Sequence, residues 1–155
     1  MNNISFINSS NELTTAQNIQ QQISQKEFEI QLVDINSRYS SSQDSSYYYY
    51  NPQKKYILDM EIQNLKKQRD AHLINALTYA LADAESEMNF SIPFSTAAVS
   101  ISNICSFIRR YNIKLNITLQ LMLKISSISS RISTRLNSSQ LKQEITNLKI
   151  QLNIL

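Results

Sequence analysis

Glycine does not occur anywhere in this chain of 155 residues. Gly reaches positive φ at little cost, so its absence removes the usual two-residue hairpins and the glycine loops that cradle phosphates or dinucleotides. A serine nucleophile elbow of the Gly-x-Ser-x-Gly kind is excluded for the same reason. There is one cysteine, Cys105, and one histidine, His72. A lone thiol cannot close an internal disulfide, and one Cys with one His is too few donors for a zinc site. Tryptophan is absent, and proline occurs only at Pro52 and Pro93. No run approaches the roughly 18 apolar residues of a membrane-spanning helix. Residues 1–10 lack the basic and continuous apolar regions of a secretory signal. The expected setting is synthesis in the cytoplasm, with any export using a route that needs no cleaved signal.

What is present is an ordinary apolar share, 42%, beside a low charged share, 17%. The length suits one domain with its own core. The net charge of +3 is unevenly spread: residues 1–87 carry eleven acids and seven bases, whereas 88–155 carry one acid, Glu144, and eight bases. The simpler reading is mutual neutralisation, within the chain or between copies. The sharper one is a basic surface for nucleic acid or anionic lipid, although a base about every eight residues is dilute for a polyanion groove.

Apolar periodicity divides the chain into segments. Residues 1–11 are Asn/Ser-rich and are expected to be mobile. From Glu12 to about Asn36, Leu13, Ala16, Ile19, Ile23, Ile30 and Val33 recur at steps near three and four, an amphipathic helix with a thin face. Residues 38–55 form a Ser/Tyr-rich loop containing the run Tyr47–Tyr50, and Pro52 sets its boundary. Residues 54–89 give the clearest helix, with Ile57 or Leu58, Ile62, Leu65, Leu73, Leu77, Ala80, Leu81 and Ala84 in one stripe. Ser95 or Thr96 can cap a third helix to about Tyr111, with Val99, Ile101, Ile104, Phe107 and Ile108 inward.

Ile113 to Ile125 alternates apolar and polar residues, the period of a half-buried strand. The same stretch also offers Ile117, Leu121, Ile125, Ile128 and Ile132 at helical steps. The reading adopted is extended chain over 113–119 and helix beyond, a helix apolar almost all round and so deeply buried. Leu141, Ile145, Leu148, Leu152 and Leu155 then follow at four- and three-residue steps, the a/d spacing of coiled coils, with Ile150 and Ile154 widening the stripe.

Few residues offer chemistry. Asp83, Glu85 and Glu87 are the densest carboxylates, and Asp83 and Glu87 share a helix face. Di-metal bundles pair such groups with Glu-x-x-His turns, whereas His72 has Gln68 and Arg69 at those steps. A solvated acidic face is therefore expected. His72 reads as a surface or interface residue and Cys105 as a buried core thiol. Neither catalytic residues nor a cofactor or metal is expected.

The segments Phe107–Leu115 and Ser133–Leu155 resemble the helix-then-extended segment and the closing heptad helix of type III secretion filament and tip proteins (the EspA/SseB type). In those proteins an Asn-Ser-Gln-Leu segment enters the closing helix, as Asn137-Ser138-Ser139-Gln140-Leu141 does here. The resemblance implies a helical hairpin whose terminal helices pair and whose copies assemble into an extracellular filament or tip.

The expected fold is therefore mainly α, a long helical hairpin or coiled-coil bundle with a short irregular or β-like insertion near 90–119. The expected function is non-enzymatic assembly, with itself or a helical partner. Its interface would comprise Leu65, Leu73, Leu77, Ile125, Ile128, Ile132, Leu141, Ile145, Leu148 and Leu152. The alternatives are a basic nucleic-acid-binding or regulatory protein and a small coiled-coil adaptor or chaperone; nucleic acid is the less favoured partner.

Overall fold

The computed structural model describes residues 4–40, 52–89, 95–134 and 138–154. Five helices follow in order: α1 (Ile4–Ser40), α2 (Pro52–Asn89), α3 (Thr96–Arg110), α4 (Leu119–Thr134) and α5 (Ser138–Ile154). The mainly α expectation holds, and no strand occurs among the described residues. The Tyr47–Tyr50 run, the break at 90–94, Leu155 and the side chain of Ile154 lie outside what is described. The chain divides into two compact units, Thr15–Asp70 and Met1–Thr14 together with Ala71–Leu155.

The Thr15–Asp70 unit is built from the later part of α1 and the first part of α2. Ala16, Ile19, Ile23 and Val33 are buried on α1, and Leu58 and Ile62 on α2, with Ile30 and Leu65 half-buried against them. These positions recur at three- and four-residue steps, so each helix turns one side inward. Polar pairs fix the register. Arg69 Nη1 donates to Gln20 Oε1 at 2.7 Å, Lys26 Nζ meets Glu61 Oε2 at 2.7 Å, and Lys55 Nζ meets Asp34 Oδ1 at 3.0 Å. Partner numbers fall as α1 numbers rise, so the two helices run antiparallel. Between the alternatives Ile57 and Leu58, Leu58 is the inward residue and Ile57 the exposed one.

In the other unit α1 begins at Ile4, ahead of the helix start expected at Glu12. Ser9 is buried, and its hydroxyl donates to the Ala76 carbonyl at 3.0 Å. A small side chain opposite an alanine lets this polar stretch lie close to α2 with its hydroxyl satisfied. One turn on, Glu12 Oε2 stands 2.5 Å from His72 Nδ1. The buried stripe of α2 continues through Leu73, Ala76, Leu77, Ala80, Leu81 and Ala84. α3 turns Ala97, Ala98, Ile101, Ile104, Cys105, Phe107 and Ile108 inward. Val99, expected inside, is exposed because it lies off the side shared by Ala97, Ala98, Ile101 and Ile104.

α3 ends without glycine. Asn112 takes the left-handed position at φ 49°, its N–H donates to the Arg109 carbonyl at 3.2 Å, and the Ile113 N–H donates to the Ile108 carbonyl at 2.9 Å. This is the Schellman arrangement, completed by two buried apolar residues, Ile108 and Ile113. From Ile113 to Thr118 the chain is neither helix nor strand, yet burial alternates: Ile113, Leu115 and Ile117 turn in while Lys114, Asn116 and Thr118 turn out. The period-two pattern thus describes an extended segment that joins no sheet. Thr118 caps α4 by accepting from the Leu121 N–H at 3.2 Å. Beyond it Leu121, Ile125, Ile128 and Ile132 are buried, the helical alternative. Leu119 and Leu123 face outward, so α4 is not the all-round apolar helix expected.

Asn112 yields a test. Asn112→Gly should raise stability by up to about 1 kcal/mol, and Asn112→Val should lower it by about 1–2 kcal/mol, because a β-branched side chain resists positive φ. Urea unfolding of the two variants checks the ordering.

Candidate functional site: apolar faces inside and outside the fold

The residues expected to form an interface are placed inside the chain's own core. Leu73, Leu77, Ile125, Ile128, Ile132, Leu141, Ile145, Leu148 and Leu152 are all buried in the unit that contains α3, α4 and α5. Leu65 belongs to the other unit, half-buried against Ile19, Ile23 and Ile62. α4 packs against α3 and α5. An Arg131–Glu144 ion pair ties α4 to α5, and Lys149 Nζ reaches Glu85 Oε2 on α2 at 3.5 Å. Ile150, expected to widen the α5 stripe, is exposed. Each fully buried Leu or Ile contributes about 1.5–3 kcal/mol, so the Leu141–Leu152 stripe stabilises the single chain.

Apolar surface left over for a partner therefore lies elsewhere. On α1, Phe28, Leu32 and Ile35 stand exposed at four- and three-residue steps, Phe28 at 58%. They follow exposed Asn18, Gln21 and Gln25 at the same steps. On α2, Tyr56, Ile57 and Met60 are exposed. Each set lies on the side of its helix turned away from the inward stripe. Sequence reasoning passed over Phe28, Leu32 and Ile35 because the inward stripe absorbed the periodicity. The available signal was a second set at the same spacing, half a turn away.

The carboxylates expected on a solvated face are mostly buried, a second correction. Asp83 and Glu87 are 7% and 4% exposed, and both turn to the start of α3. Glu87 Oε1 accepts from the Thr96 N–H at 2.9 Å and the Ala97 N–H at 3.2 Å, while Ser95 Oγ donates to Glu87 Oε2 at 2.7 Å. Ser95 Oγ in turn accepts from the Ala98 N–H at 3.0 Å. A carboxylate thus satisfies the free amides of α3 and meets the positive end of its dipole. The Thr96 hydroxyl stands 2.9 Å from Asp83 Oδ2 and also contacts Glu87 Oε1. One hydroxyl has one proton to donate, so the two carboxylates compete for it. Burial pushes the Asp83 carboxyl above its usual range, the Thr96 hydroxyl opposes this, and the Glu87 charge adds to it.

The remaining chemical candidates are held in place by packing. Cys105 is buried beside Ser126 Oγ at 3.6 Å, and burial pushes its thiol pKa up, away from the nucleophilic thiolate. His72 pairs with Glu12. Among the described residues no cluster of three or more His, Cys, Asp or Glu is placed to hold a metal. A cleft of about 160 Å³ opens between α4 and α5, walled by Ile128 and Leu148 and rimmed by Lys124, Arg131, Glu144 and Asn147.

Glu87→Ala should cost about 1–3 kcal/mol in chemical unfolding, since it strips acceptors from buried amides and the Ser95 hydroxyl. Asp83 sets a pH dependence. A raised folded pKa contributes stability that is complete below the ordinary carboxyl value of 3.8 and is lost as pH rises through the folded value. Asp83→Asn should match the parent below that range and exceed it increasingly toward neutrality, read as midpoints across a pH series. No protein-family model, curated protein or solved structure is found to match the chain, so its reading rests on these residues.

Proposed function

We propose that this chain is a non-enzymatic assembly subunit that associates with copies of itself, or with a helical partner, through the outer apolar faces of α1 and α2. The observation that carries the reading is the exposed Phe28, Leu32 and Ile35 stripe on a helix whose other side is already packed. Apolar residues repeated on an outer helix face are what a further helix buries on association.

Register supports self-association. The Lys26–Glu61 and Asp34–Lys55 pairs bring Phe28 level with Met60, and Leu32 level with Ile57, on opposite sides of the hairpin. Laying one hairpin beside the next at the same level sets the α1 stripe of one copy against the α2 stripe of its neighbour. Such a contact is heterologous, and a heterologous contact that does not close into a ring extends into a filament. The likeness of residues 107–115 and 133–155 to type III secretion filament proteins supplies the setting for this proposal: an exported subunit built into a filament or tip.

Light scattering over a concentration series tests it. The parent chain should grow in mass with concentration, and Phe28→Glu with Leu32→Glu should hold it at its smallest species with helicity unchanged. Equal growth in parent and variant would remove the α1 face from the assembly.

A further inference from the structure

The elbow between α3 and α4 combines exposed leucines with exposed cations. Leu119 and Leu123, one helical turn apart at the start of α4, are 75% and 61% exposed, and Tyr111 at the end of α3 is exposed too. Arg109, Arg110, Lys114 and Lys124 are all exposed around the same connection. The Arg109 Nε–H bonds the Cys105 carbonyl of its own helix, and the Arg110 guanidinium lies 5.6 Å from the Tyr111 ring centroid. Among the described residues none of the four cations meets a carboxylate.

The acids of this unit are committed elsewhere. Asp83 and Glu87 cap the opposite end of α3, roughly 20 Å away along a helix of this length. Glu12 is held by His72, Glu85 by Lys149, and Glu144 by Arg131. The carbonyl end of α3 and the amide end of α4 both border the elbow and their partial charges offset, so its positive charge is that of the four side chains. We propose that the α3–α4 elbow is a docking surface for a bilayer carrying anionic lipid headgroups, with Leu119 and Leu123 entering the interface and Arg109, Arg110, Lys114 and Lys124 contacting the headgroups. Charge alone would suit any polyanion, but a nucleic-acid backbone offers exposed leucines nothing apolar to enter, whereas the headgroup–acyl boundary does. No helix among the described residues is long and apolar enough to cross a membrane, so the mode is surface attachment.

Cosedimentation of the full chain with phosphatidylcholine vesicles, with and without phosphatidylserine, tests the assignment. Binding should require phosphatidylserine and weaken as salt is raised. Replacing Arg109, Arg110 and Lys114 together by Gln should weaken it more than about tenfold, at a few-fold per cation. Leu119→Ser with Leu123→Ser should weaken it by about tenfold or more. Both leucines are exposed, so circular dichroism of that variant should match the parent. No binding, equal binding to pure phosphatidylcholine, or full binding by the serine variant would overturn the proposal. Retention of a duplex RNA by the serine variant, with vesicles ignored by the parent, would assign the cations to nucleic acid instead.

Discussion

Helix ends are where this chain is most constrained, because every turn has to be made without a residue that enters positive φ freely. The two helix ends around α3 show how the backbone groups are satisfied instead. At its start a buried carboxylate, Glu87, reaches across from α2 and takes two amide protons and a serine hydroxyl. At its finish Asn112 accepts the left-handed conformation, and Ile108 and Ile113 are buried over it. The first contact joins α3 to α2, and the second launches the extended segment that delivers α4. α4 then packs along α3, and α5 along α4.

Polar residues placed along the apolar stripes do related work in the Thr15–Asp70 unit. A stripe of Ile, Leu and Ala can slide by a turn at little loss, because one aliphatic contact resembles the next. Gln20 with Arg69, Lys26 with Glu61, and Asp34 with Lys55 cannot slide without leaving charges unpaired. Exposed pairs of this kind contribute little net stability. Arg69 is the exception, being buried with Gln20 and paired with half-buried Asp70, and its misplacement would strand a buried charge. Their use is to select one alignment among several of similar apolar energy.

Much of the architecture was legible because burial here follows helical spacing. Leu121, Ile125, Ile128 and Ile132, and Leu141 through Leu152, are inward where their spacing puts them. Pro52 marks the start of α2 and Ser95 caps α3. The misses share a cause, namely contacts between residues distant in sequence. Nothing local distinguishes Asp83 and Glu87 from a solvated acidic face; their partner amides lie on the next helix. Residues 4–11 look like a polar tail until Ala76 provides a place for Ser9. The outer stripe Phe28, Leu32 and Ile35 was hidden by the inner one. Spacing identifies inward residues, but it does not say whether the opposing surface belongs to the same chain, and the α4 and α5 stripes prove to be matched within it.

Cys105 carries a further consequence. A chain with a single thiol has no internal partner for it, so a disulfide can only link it to another molecule. Here the sulfur is enclosed between α3 and α4 beside Ser126, in surroundings that disfavour the thiolate. Covalent cross-linking between copies must therefore wait for the α3–α4 contact to open. The rate at which the thiol is captured by an alkylating reagent becomes a clock for that opening, reporting local unfolding at one defined position without any added label.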